Sequence, residues 1–410
     1  MSAILPKNFK FIDLFAGIGG FHQAMKQLGG QCVYAIEINH DTAQTYMDNY
    51  HIENVEGDIT KIDPNDIPDH DVLCAGFPCQ PFSKAGKQKG FNDERGTLFF
   101  QIIKILKNQL KRPYGGPRYL ILENVRNLIS HNHHKTWLKM RQQLIEIGYN
   151  VIEQPVIVSP HDYGVPQLRD RALILAIKNN FFSEPFNLKI ERKKRNSLDM
   201  HQLLNNCNLH EYNLKKYFIS KYEERVLKMW DAFIHGIKRK IIGFPIWSDW
   251  FDEKKEIPYN CPNWKLDFIK KSKELYLENK KFIDKWLKKY DYLSWVKPTD
   301  RKFEWQVEGK INSVFEGIIQ FRPSGVRVKR PTEFPALVAI VHVPIIGELH
   351  RYITPREAAY LQSFPPTFRI NSNDRLAYKQ FGNAVNVDVI RNVFNEFLKN
   401  IENKINTRKD

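Results

Sequence analysis

The stretch "DLFAGIGGF" at residues 13–21 decides the fold, because it joins an apolar run to a helical pattern through a glycine-rich turn. The run "FKFIDLFA" (9–16) has the composition of a buried strand, and "GGFHQAMKQL" (19–28) has the apolar spacing of a helix that ends at Gly29 and Gly30. Glycines let the backbone turn tightly and approach a ligand, although a plain turn is an equally good interpretation of a short glycine run. The stretch predicts a strand, a turn and a helix in that order.

Strand-like and helix-like segments continue to alternate through the first 177 residues. The other predicted strands are "CVYAIEI" (32–38), "NVEGDI" (54–59), "DVLCAG" (71–76), "YLILENV" (119–125), "NVIEQPVIV" (150–158) and "RALILAI" (171–177). The other predicted helices are "HDTAQTYMDNY" (40–50), "GTLFFQIIKILKNQL" (96–110) and "HKTWLKMRQQLIEIG" (134–148). Such alternation predicts an α/β fold with a mainly parallel, doubly wound sheet, whose ligands bind beyond the carboxyl ends of the strands.

A glycine and two acidic residues at three successive strand ends predict a nucleoside site. Gly17 follows the first strand, Glu37 lies at the end of the second, and Asp58 lies at the end of the third. A carboxylate there can accept hydrogen bonds from ribose hydroxyls or from an adenine amino group. The glycines do not form the dinucleotide pattern G-x-G-x-x-G, because its third glycine falls on His22, and no P-loop is found. The predicted cofactor therefore carries a nucleoside and need not carry phosphates.

A cysteine after the fourth predicted strand is the candidate nucleophile. In "GFPCQPFS" (76–83), Cys79 lies among turn-forming residues, and Pro78 and Pro81 fix the backbone on either side. A thiol needs electropositive neighbours to become a good nucleophile at neutral pH, since its ordinary pKa is about 8.5. The usual alternative is a buried, inert cysteine, and the apolar surroundings of Cys74 fit that interpretation.

Three charged residues are expected at the same edge of the sheet. Arg169 and Arg171 lie in "GVPQLRDR" (164–171), just before the last strand, and Glu123 lies near the end of "YLILENV" (119–125). The arginines are candidates for the positive charge that activates the thiol, and the glutamate adds a carboxyl group beside it.

The net charge points to an anionic partner. The chain has 410 residues and a net charge of +16, and residues 178–350 hold 33 lysines and arginines against 22 aspartates and glutamates. Seven of the eight tryptophans lie in the same span. Basic and aromatic residues together suit phosphates and bases, but a lysine-rich surface over a tryptophan-rich core has the same composition. Composition alone leaves both interpretations open.

Several classes of protein and site are disfavoured. No run of 18 apolar residues is found, and the start "MSAILPKNFKFIDLF" lacks the features of a signal peptide, so we expect no membrane span and a cytoplasmic location. Five cysteines without a C-x-x-C pair indicate a reducing compartment and no structural zinc. The segment "HNHHK" (131–135) is interpreted as an exposed loop, so no metal site is predicted.

Seven segments resemble, in the family's order, the motifs of the S-adenosylmethionine-dependent DNA (cytosine-5)-methyltransferases. They are "DLFAGIGGF" (13–21), "GFPCQPFS" (76–83), "RGTLFFQIIKIL" (95–106), "ENV" (123–125), "QLRDR" (167–171), "RYITPREAAYLQSFP" (351–365) and "QFGNAV" (380–385). The resemblance extends over the whole chain and is to enzymes of the bacterial restriction-modification type. It implies a Rossmann-like methyltransferase fold with a second, smaller target-recognition domain.

The resemblance implies a covalent mechanism on a cytosine flipped out of double-stranded DNA. Cys79 would attack carbon 6, Glu123 would engage N3 with Asn124 beside it, and carbon 5 would receive the methyl group before the thiol leaves. The other implied residues are Gln167, Arg169 and Arg171 near the base and its phosphate, and Lys84, Lys87 and Lys89 in a loop (83–96) that closes over the DNA.

The resemblance also assigns a cofactor site. The residues that match the family's S-adenosylmethionine contacts are Phe15, Gly17, Glu37, Asp58, Ile59, Pro78, Leu98 and Asn383. Two positions depart from the family pattern. Asn386 occupies a position where a proline is usual, and Ala336–Leu337 is the nearest match to a Thr-Leu dipeptide of the recognition region, so no DNA contact is assigned to Ala336.

The resemblance divides the chain into three parts. Residues 1–177 would bind the cofactor and perform the chemistry, residues 178–350 would recognise the target, and residues 351–410 would complete the catalytic domain. The expected DNA-binding residues of the recognition part are Arg327, Lys329 and Arg330 in "RPSGVRVKRP" (322–331). We expect a monomer that acts on double-stranded DNA, and the family's bacterial members often pair with a restriction endonuclease.

Alternative functions remain open at this point. A tRNA cytosine-5 methyltransferase would share the chemistry, but the long insert and the Pro-Cys-Gln triplet at 78–80 favour DNA. A non-catalytic DNA-binding regulator would keep the basic region but would not need Cys79, Glu123 and Arg171 together. A nicotinamide oxidoreductase is disfavoured by the incomplete dinucleotide pattern.

Overall fold

The protein folds into two compact units, each described here by itself. The computed structural model describes residues 5–78, 98–192, 203, 207, 209–210, 212–238, 242–337 and 342–407. The first unit comprises Met1–Leu198 and Ala358–Asp410, and the second comprises Asp199–Glu357. These boundaries lie further along the chain than the expected ones at 177/178 and 350/351.

The first unit is built on a seven-stranded sheet. Its strands are β1 (Lys10–Leu14), β2 (Gln31–Ile36), β3 (Val72–Ala75), β4 (Tyr119–Val125), β5 (Tyr149–Val151), β6 (Val156–Val158) and, after the separate two-residue strand β7 (Gln167–Leu168), β8 (Arg171–Lys178). The order is β2-β1-β3-β4-β8-β5, with β6 also paired to β8. Strands β2, β1, β3 and β4 are parallel, whereas β8 runs antiparallel to β4, β5 and β6. The predicted α/β fold with a large, mainly parallel sheet is confirmed.

Helices connect the parallel strands, as the alternation predicts. They are α1 (Gly20–Gln27), α2 (His40–Tyr50), α3 (Leu98–Gln109), α4 (Asn127–Ser130) and α5 (Lys135–Glu146). Fully buried aliphatic side chains of β1, β3 and β4 pack against the apolar faces of α3 and α5. This core holds the strand ends in place, and the strand ends carry the predicted site.

Two strand predictions differ from the structure. "NVEGDI" (54–59) forms only an isolated bridge, between Glu56 and Glu37. The extended segment ends there because the Asp58 carboxylate accepts hydrogen bonds from the backbone N–H and the hydroxyl of Thr60, which turns the chain. "NVIEQPVIV" (150–158) divides into β5 and β6, both of which pair with β8.

The second unit contains a six-stranded sheet with the order β15-β14-β11-β12-β10-β9. Its strands are β9 (Ile246–Trp247), β10 (Lys302–Gln306), β11 (Ile318–Arg322), β12 (Gly325–Lys329), β14 (Ile345–Ile346) and β15 (Arg351–Tyr352), with β13 (Phe334–Pro335) outside it. Its helices are α6 (Lys221–Gly236), α7 (Asn263–Glu278) and α8 (Lys280–Lys289).

Three of the seven tryptophans of this unit are core residues. Trp230, Trp286 and Trp305 are at most 3% exposed, and Trp230 stacks on Phe303 with ring centroids 4.6 Å apart. Trp264, by contrast, is 59% exposed. The structure therefore supports the core interpretation for these three tryptophans, and the case for nucleic-acid binding cannot rest on the tryptophan content alone.

The return segment adds α9 (Pro355–Leu361), α10 (Asp374–Asn383) and α11 (Val387–Asn406). Helix α11 packs on the first sheet, where Phe397 meets the ring of Tyr119 edge-on at 5.7 Å. Phe186 stacks on Phe397 at 5.3 Å. This stacking explains why the segment after β8 belongs to the first unit and not to the insert.

Candidate active site and cofactor site

An ion pair lies at the edge of the first sheet. Arg171 Nε is 2.7 Å from Glu123 Oε1, and the two side chains are 20% and 12% exposed. Because β8 is antiparallel to β4, the start of β8 lies beside the end of β4, with Arg171 opposite Val125. The reversed strand therefore brings together two residues that the sequence predicted at one edge.

The neighbouring strand end leads towards the predicted nucleophile. Asn124 is buried, and its Nδ2 donates to the backbone carbonyl of Phe77 at 3.2 Å, which ties β4 to the segment after β3. A Cβ placed on Gly76 would lie 3.9 Å from Glu123 Oε2. Cys79 lies outside the described residues, which stop at Pro78 before resuming at Leu98. Gly76, which lies three residues before Cys79 in the chain, is therefore close to the Glu123 carboxyl group.

The closing loop (83–96), with Lys84, Lys87 and Lys89, also lies outside the described residues. The expected contacts of these lysines with DNA accordingly stay predictions.

Arg169 and Gln167 are both buried in the first unit, and each makes hydrogen bonds to the return segment. Arg169 is 4% exposed, and its Nη2 donates to the carbonyl oxygens of Gly382 and Ala384, both at 2.9 Å. Gln167 is fully buried and accepts from Gln362 Nε2 at 3.0 Å. The two arginines of the motif thus have different surroundings in the structure, although both line one narrow cavity together with Glu123.

The contacts of Arg169 bear directly on the predicted cofactor residue Asn383. The two carbonyl groups that Arg169 binds belong to the residues on either side of Asn383, and both of these are buried, whereas Asn383 is exposed. Arg169 therefore fixes the backbone on either side of Asn383.

The glycine turn after β1 is closed by Glu37. Gly17 N–H donates to Glu37 Oε2 at 3.0 Å, and Asn39 N–H donates to Oε1 at 2.9 Å. Burial raises the pKa of Glu37 above its ordinary value, and these backbone N–H groups act in the opposite direction. Phe15 and Gly17 have positive φ values of 58° and 57°, and among the described residues no heavy atom beyond the chain neighbours of Gly17 lies within 4 Å of the position of a Cβ on it. The turn therefore leaves open space above its backbone.

Asp58, Ile59 and Ile38 lie around the next strand ends. Hydrogen bonds from the Thr60 backbone and hydroxyl lower the pKa of Asp58. Ile59 is 6% exposed and packs into the core, whereas Ile38 is 69% exposed directly after Glu37. The sequence analysis did not identify Ile38. The sequence pattern that could have identified Ile38 is an apolar residue directly after a strand that ends in an acidic residue. Such a side chain offers apolar surface to a planar ring.

The other two predicted cofactor residues flank the gap in the described chain. Pro78 is partly buried after β3, and Leu98 begins α3, where it packs against the core. Pro78 therefore follows the carboxyl end of β3, and Leu98 begins the helix that leads to β4.

Several buried polar side chains pack together next to the glycine turn. His22 Nδ1 is 2.7 Å from the hydroxyl of Tyr46, and the His22 ring stacks on Tyr50 at 3.8 Å. Burial lowers the pKa of His22 to about 3, so this ring is neutral. Asp13 is fully buried and accepts from His22 N–H at 3.2 Å, and burial raises its pKa well above the ordinary value. His22, which interrupts the dinucleotide pattern, is thus a packing residue.

One glycine of the turn is required by this packing. A Cβ on Gly19 would lie 2.2 Å from the ring of Tyr50, whose hydroxyl donates to the Gly19 carbonyl at 2.9 Å. Its φ of 84° also favours glycine. In the described residues, no group of three histidine, cysteine, aspartate or glutamate side chains could hold a metal ion.

Known proteins share this sequence over most of its length. The family described as "C-5 cytosine-specific DNA methylase" matches residues 9–399. The chain is 31% identical to the Type II methyltransferase M.AluI of Cellulosimicrobium cellulans, over 96% of this chain and 92% of that protein. It is 34% identical to the Type II methyltransferase M.HgiCI of Herpetosiphon aurantiacus, over 96% of this chain and 98% of that protein.

A solved structure agrees on the fold. The methyltransferase EhMeth of Entamoeba histolytica superposes with a TM-score of 0.56, at 16% identity over 97% of this chain and 99% of that chain. In the part of the chain that the structure describes, no helix has the length and apolar character needed to cross a bilayer. The family match and the two full-length relatives agree with the arrangement of motifs along the strand ends. The chain therefore belongs to the C-5 cytosine-specific DNA methylase family and is a DNA cytosine-5-methyltransferase.

Proposed function

We propose that the chain transfers a methyl group from S-adenosylmethionine to carbon 5 of a cytosine in a specific double-stranded DNA sequence, through a covalent bond between Cys79 and carbon 6. The observation that carries this proposal is the Glu123–Arg171 pair, which lies beside the segment that leads to Cys79. The enzyme would be the modification partner of a restriction endonuclease in a bacterial cytoplasm, as the resemblance to the restriction-modification enzymes implies.

The residues at the sheet edge suit this chemistry. The Cys79 thiolate would add to carbon 6, and Glu123, held by Arg171, would engage N3 and stabilise the charge that develops on the ring. S-adenosylmethionine supplies an electrophilic methyl group on its sulfonium when it is bound. A base would then remove the carbon 5 proton, the bond between Cys79 and carbon 6 would break, and the thiolate would be released. A cytosine inside a duplex cannot reach this edge, so it must be flipped out of the stack.

The described cofactor residues fit a nucleoside without phosphates. The Glu37 carboxylate has further acceptor capacity for ribose hydroxyls, and the exposed Ile38 offers apolar surface beside it. Asp58 lies at the following strand end, and the open space above Gly17 admits a ligand close to the backbone. Asn383 lies in the return segment of the same unit, where Arg169 holds the backbone on either side of it.

Replacing Glu37 by alanine should weaken S-adenosylmethionine binding by about 1–3 kcal/mol, because a partly buried carboxylate loses a hydrogen bond to the ligand. Asp58→Ala should weaken it less, since the partly exposed Asp58 carboxylate already accepts two hydrogen bonds from Thr60. Isothermal calorimetry measures both affinities, with Glu53→Ala as an exposed control on the same surface region. Unchanged affinity in both variants would remove these residues from the cofactor site, and neither change should alter DNA affinity.

We also propose that the second unit selects the DNA sequence. The predicted catalytic residues all lie in the first unit, whereas most of the excess positive charge lies in residues 178–350. Replacing Asp199–Glu357 by the corresponding insert of a related enzyme should change the methylated sequence without changing the modified atom. A folded, active chimera that still methylates the original sequence would place recognition in the first unit.

The direct test of the reaction is bisulfite sequencing of DNA from cells that express the protein. The proposal requires protected cytosines at one short sequence, and their absence in cells that express a Cys79→Ala variant. Transfer of labelled methyl groups to tRNA but not to DNA would favour the RNA alternative. Sequence-specific DNA binding without any methyl transfer would favour the non-catalytic regulator.

A further inference from the structure

The sheet of the second unit has one apolar and one polar face. Along β10, Phe303 and Trp305 point into the core, whereas the alternate residues Glu304 and Gln306 point to the other side. The adjacent β12 repeats the pattern. Its core residues are Val326 and Val328, and its polar residues are Arg327 and Lys329. Alternation thus gathers charged side chains of separate segments on a single face.

The strand register brings these residues next to one another. Glu304 of β10 is opposite Arg327 of β12, which is in turn opposite Gln320 of β11. Paired residues on neighbouring strands have Cβ atoms about 4.5–5.5 Å apart, so their side chains interact. A row of three polar residues therefore crosses the sheet at this level.

Glu304 is the centre of this polar face. Its Oε2 accepts from Arg327 Nε at 2.8 Å and from Gln306 Nε2 at 3.1 Å. Its Oε1 lies 3.5 Å from both Arg322 Nη1 and Ser324 Oγ. The Glu304 side chain is 9% exposed, and those of Arg322 and Arg327 are 24% and 23% exposed. One buried carboxylate thus holds two partly exposed guanidinium groups.

Arg327 contacts Glu304 through Nε, the inner nitrogen of its guanidinium group. Within the described residues, the structure gives the two terminal nitrogens of Arg327 no hydrogen-bond partner. Arg330 differs, since it is paired with both Glu308 and Glu333. Burial lowers the pKa of Lys329, and the neighbouring arginines act in the same direction. The three predicted DNA-binding residues are therefore in three different situations.

We propose that Glu304 is a positioning residue for target recognition, which holds Arg327 beside Arg322 so that the two outer nitrogens of Arg327 bind a guanine edge in the methylated sequence. This inference rests on the proposed function. An arginine fork matches the O6 and N7 acceptors of guanine in the major groove. A phosphate contact needs charge but no fixed orientation, whereas a base contact requires a side chain that is held in place. The fixed guanidinium of Arg327 is therefore better suited to a base than to a phosphate.

The test compares the full-length enzyme with its Glu304→Gln variant, which keeps the size of the side chain and removes its charge. We measure kcat and KM on the duplex target found by bisulfite sequencing, and on duplexes in which each G·C pair is replaced in turn by A·T. In the variant, the preference for the target over at least one of these duplexes should fall roughly 5- to 100-fold. The kcat on the target at saturating DNA should stay within about twofold, because the chemistry lies elsewhere.

Two further variants make the result decisive. Glu274→Gln makes the same chemical change on the exposed face of α7 and should leave the preference unchanged. Arg327→Lys keeps the charge and removes the planar fork, so it should relax the same base position even if Glu304→Gln does not fold.

Two outcomes would overturn the inference. The first is a wild-type preference in either Glu304→Gln or Arg327→Lys. The second is a uniform loss of affinity for all duplexes with a change of about 0.9 in the salt slope, which would identify a phosphate contact. Failure of the wild-type enzyme to methylate any DNA is a separate result, because it would overturn the proposed function itself before the variants are compared.

Discussion

The Cys79→Ser variant should lose methyl transfer by several orders of magnitude and still bind S-adenosylmethionine with wild-type affinity. A thiol has an ordinary pKa of about 8.5 and is readily ionised beside a cation, whereas a serine hydroxyl is not ionised at neutral pH. The proposed mechanism has no route to carbon 5 without addition at carbon 6, so the loss should appear in kcat. A labelled-methyl transfer assay and calorimetry measure the two quantities.

The matched control for this change is Cys261→Ser, because Cys261 is a free, partly exposed cysteine of the second unit. It should keep wild-type activity. A Cys79→Ser enzyme with near wild-type transfer would end the covalent mechanism.

DNA with 5-fluorocytosine at the target gives an independent readout of the same step. Fluorine at carbon 5 blocks the elimination that releases Cys79, so the wild-type enzyme should form an adduct that survives denaturation. The Cys79→Ser variant should form none on a denaturing gel. An adduct that persists in the serine variant would identify another nucleophile.

The Glu123→Gln variant should transfer methyl groups about 10²–10⁴-fold more slowly, which is the usual contribution of a positioned acid or base. The amide keeps the shape of the side chain, but it cannot exchange a proton with N3, and it leaves the Arg171 guanidinium without the opposite charge at 2.7 Å. DNA affinity should change little, because the group acts mainly on the developing charge of the ring. Single-turnover methyl transfer at saturating DNA separates this slow step from binding.

Glu53→Gln is the matched control, since Glu53 is exposed on the first unit and makes no contact with the Glu123–Arg171 pair. A Glu123→Gln variant with wild-type single-turnover rates would show that the carboxyl takes no part in the chemistry. The pair would then serve only to join β4 to β8.

The two arginines of "QLRDR" bind different partners in the structure, and this difference could not be predicted from the sequence. Both were expected near the base, and local patterns treat them alike because they lie two residues apart. In the structure, Arg171 pairs with Glu123, while Arg169 binds carbonyl groups more than 200 residues further along the chain. Which partner each side chain meets depends on where α10 and α11 pack, and no pattern near Arg169 encodes that position.

The sequence by itself determined the α/β fold of the first unit and the sheet edge at which the predicted site residues lie. Gly17, Glu37 and Glu123 each follow or end a strand that its own apolar composition identifies, and parallel strands necessarily bring their carboxyl ends to one edge. Local composition therefore suffices to predict a site that is built from strand ends.

Only the tertiary structure decided which of the charged residues act together. The antiparallel direction of β8, the burial of Trp230 and Trp286 and the contacts of Glu304 with Arg322 and Arg327 all depend on how distant segments pack together. In the second sheet, a shift of one residue in β10 would turn Glu304 to the opposite face and away from Arg327. Register is set by packing between segments that are distant in the chain, so it cannot be read from any one of them.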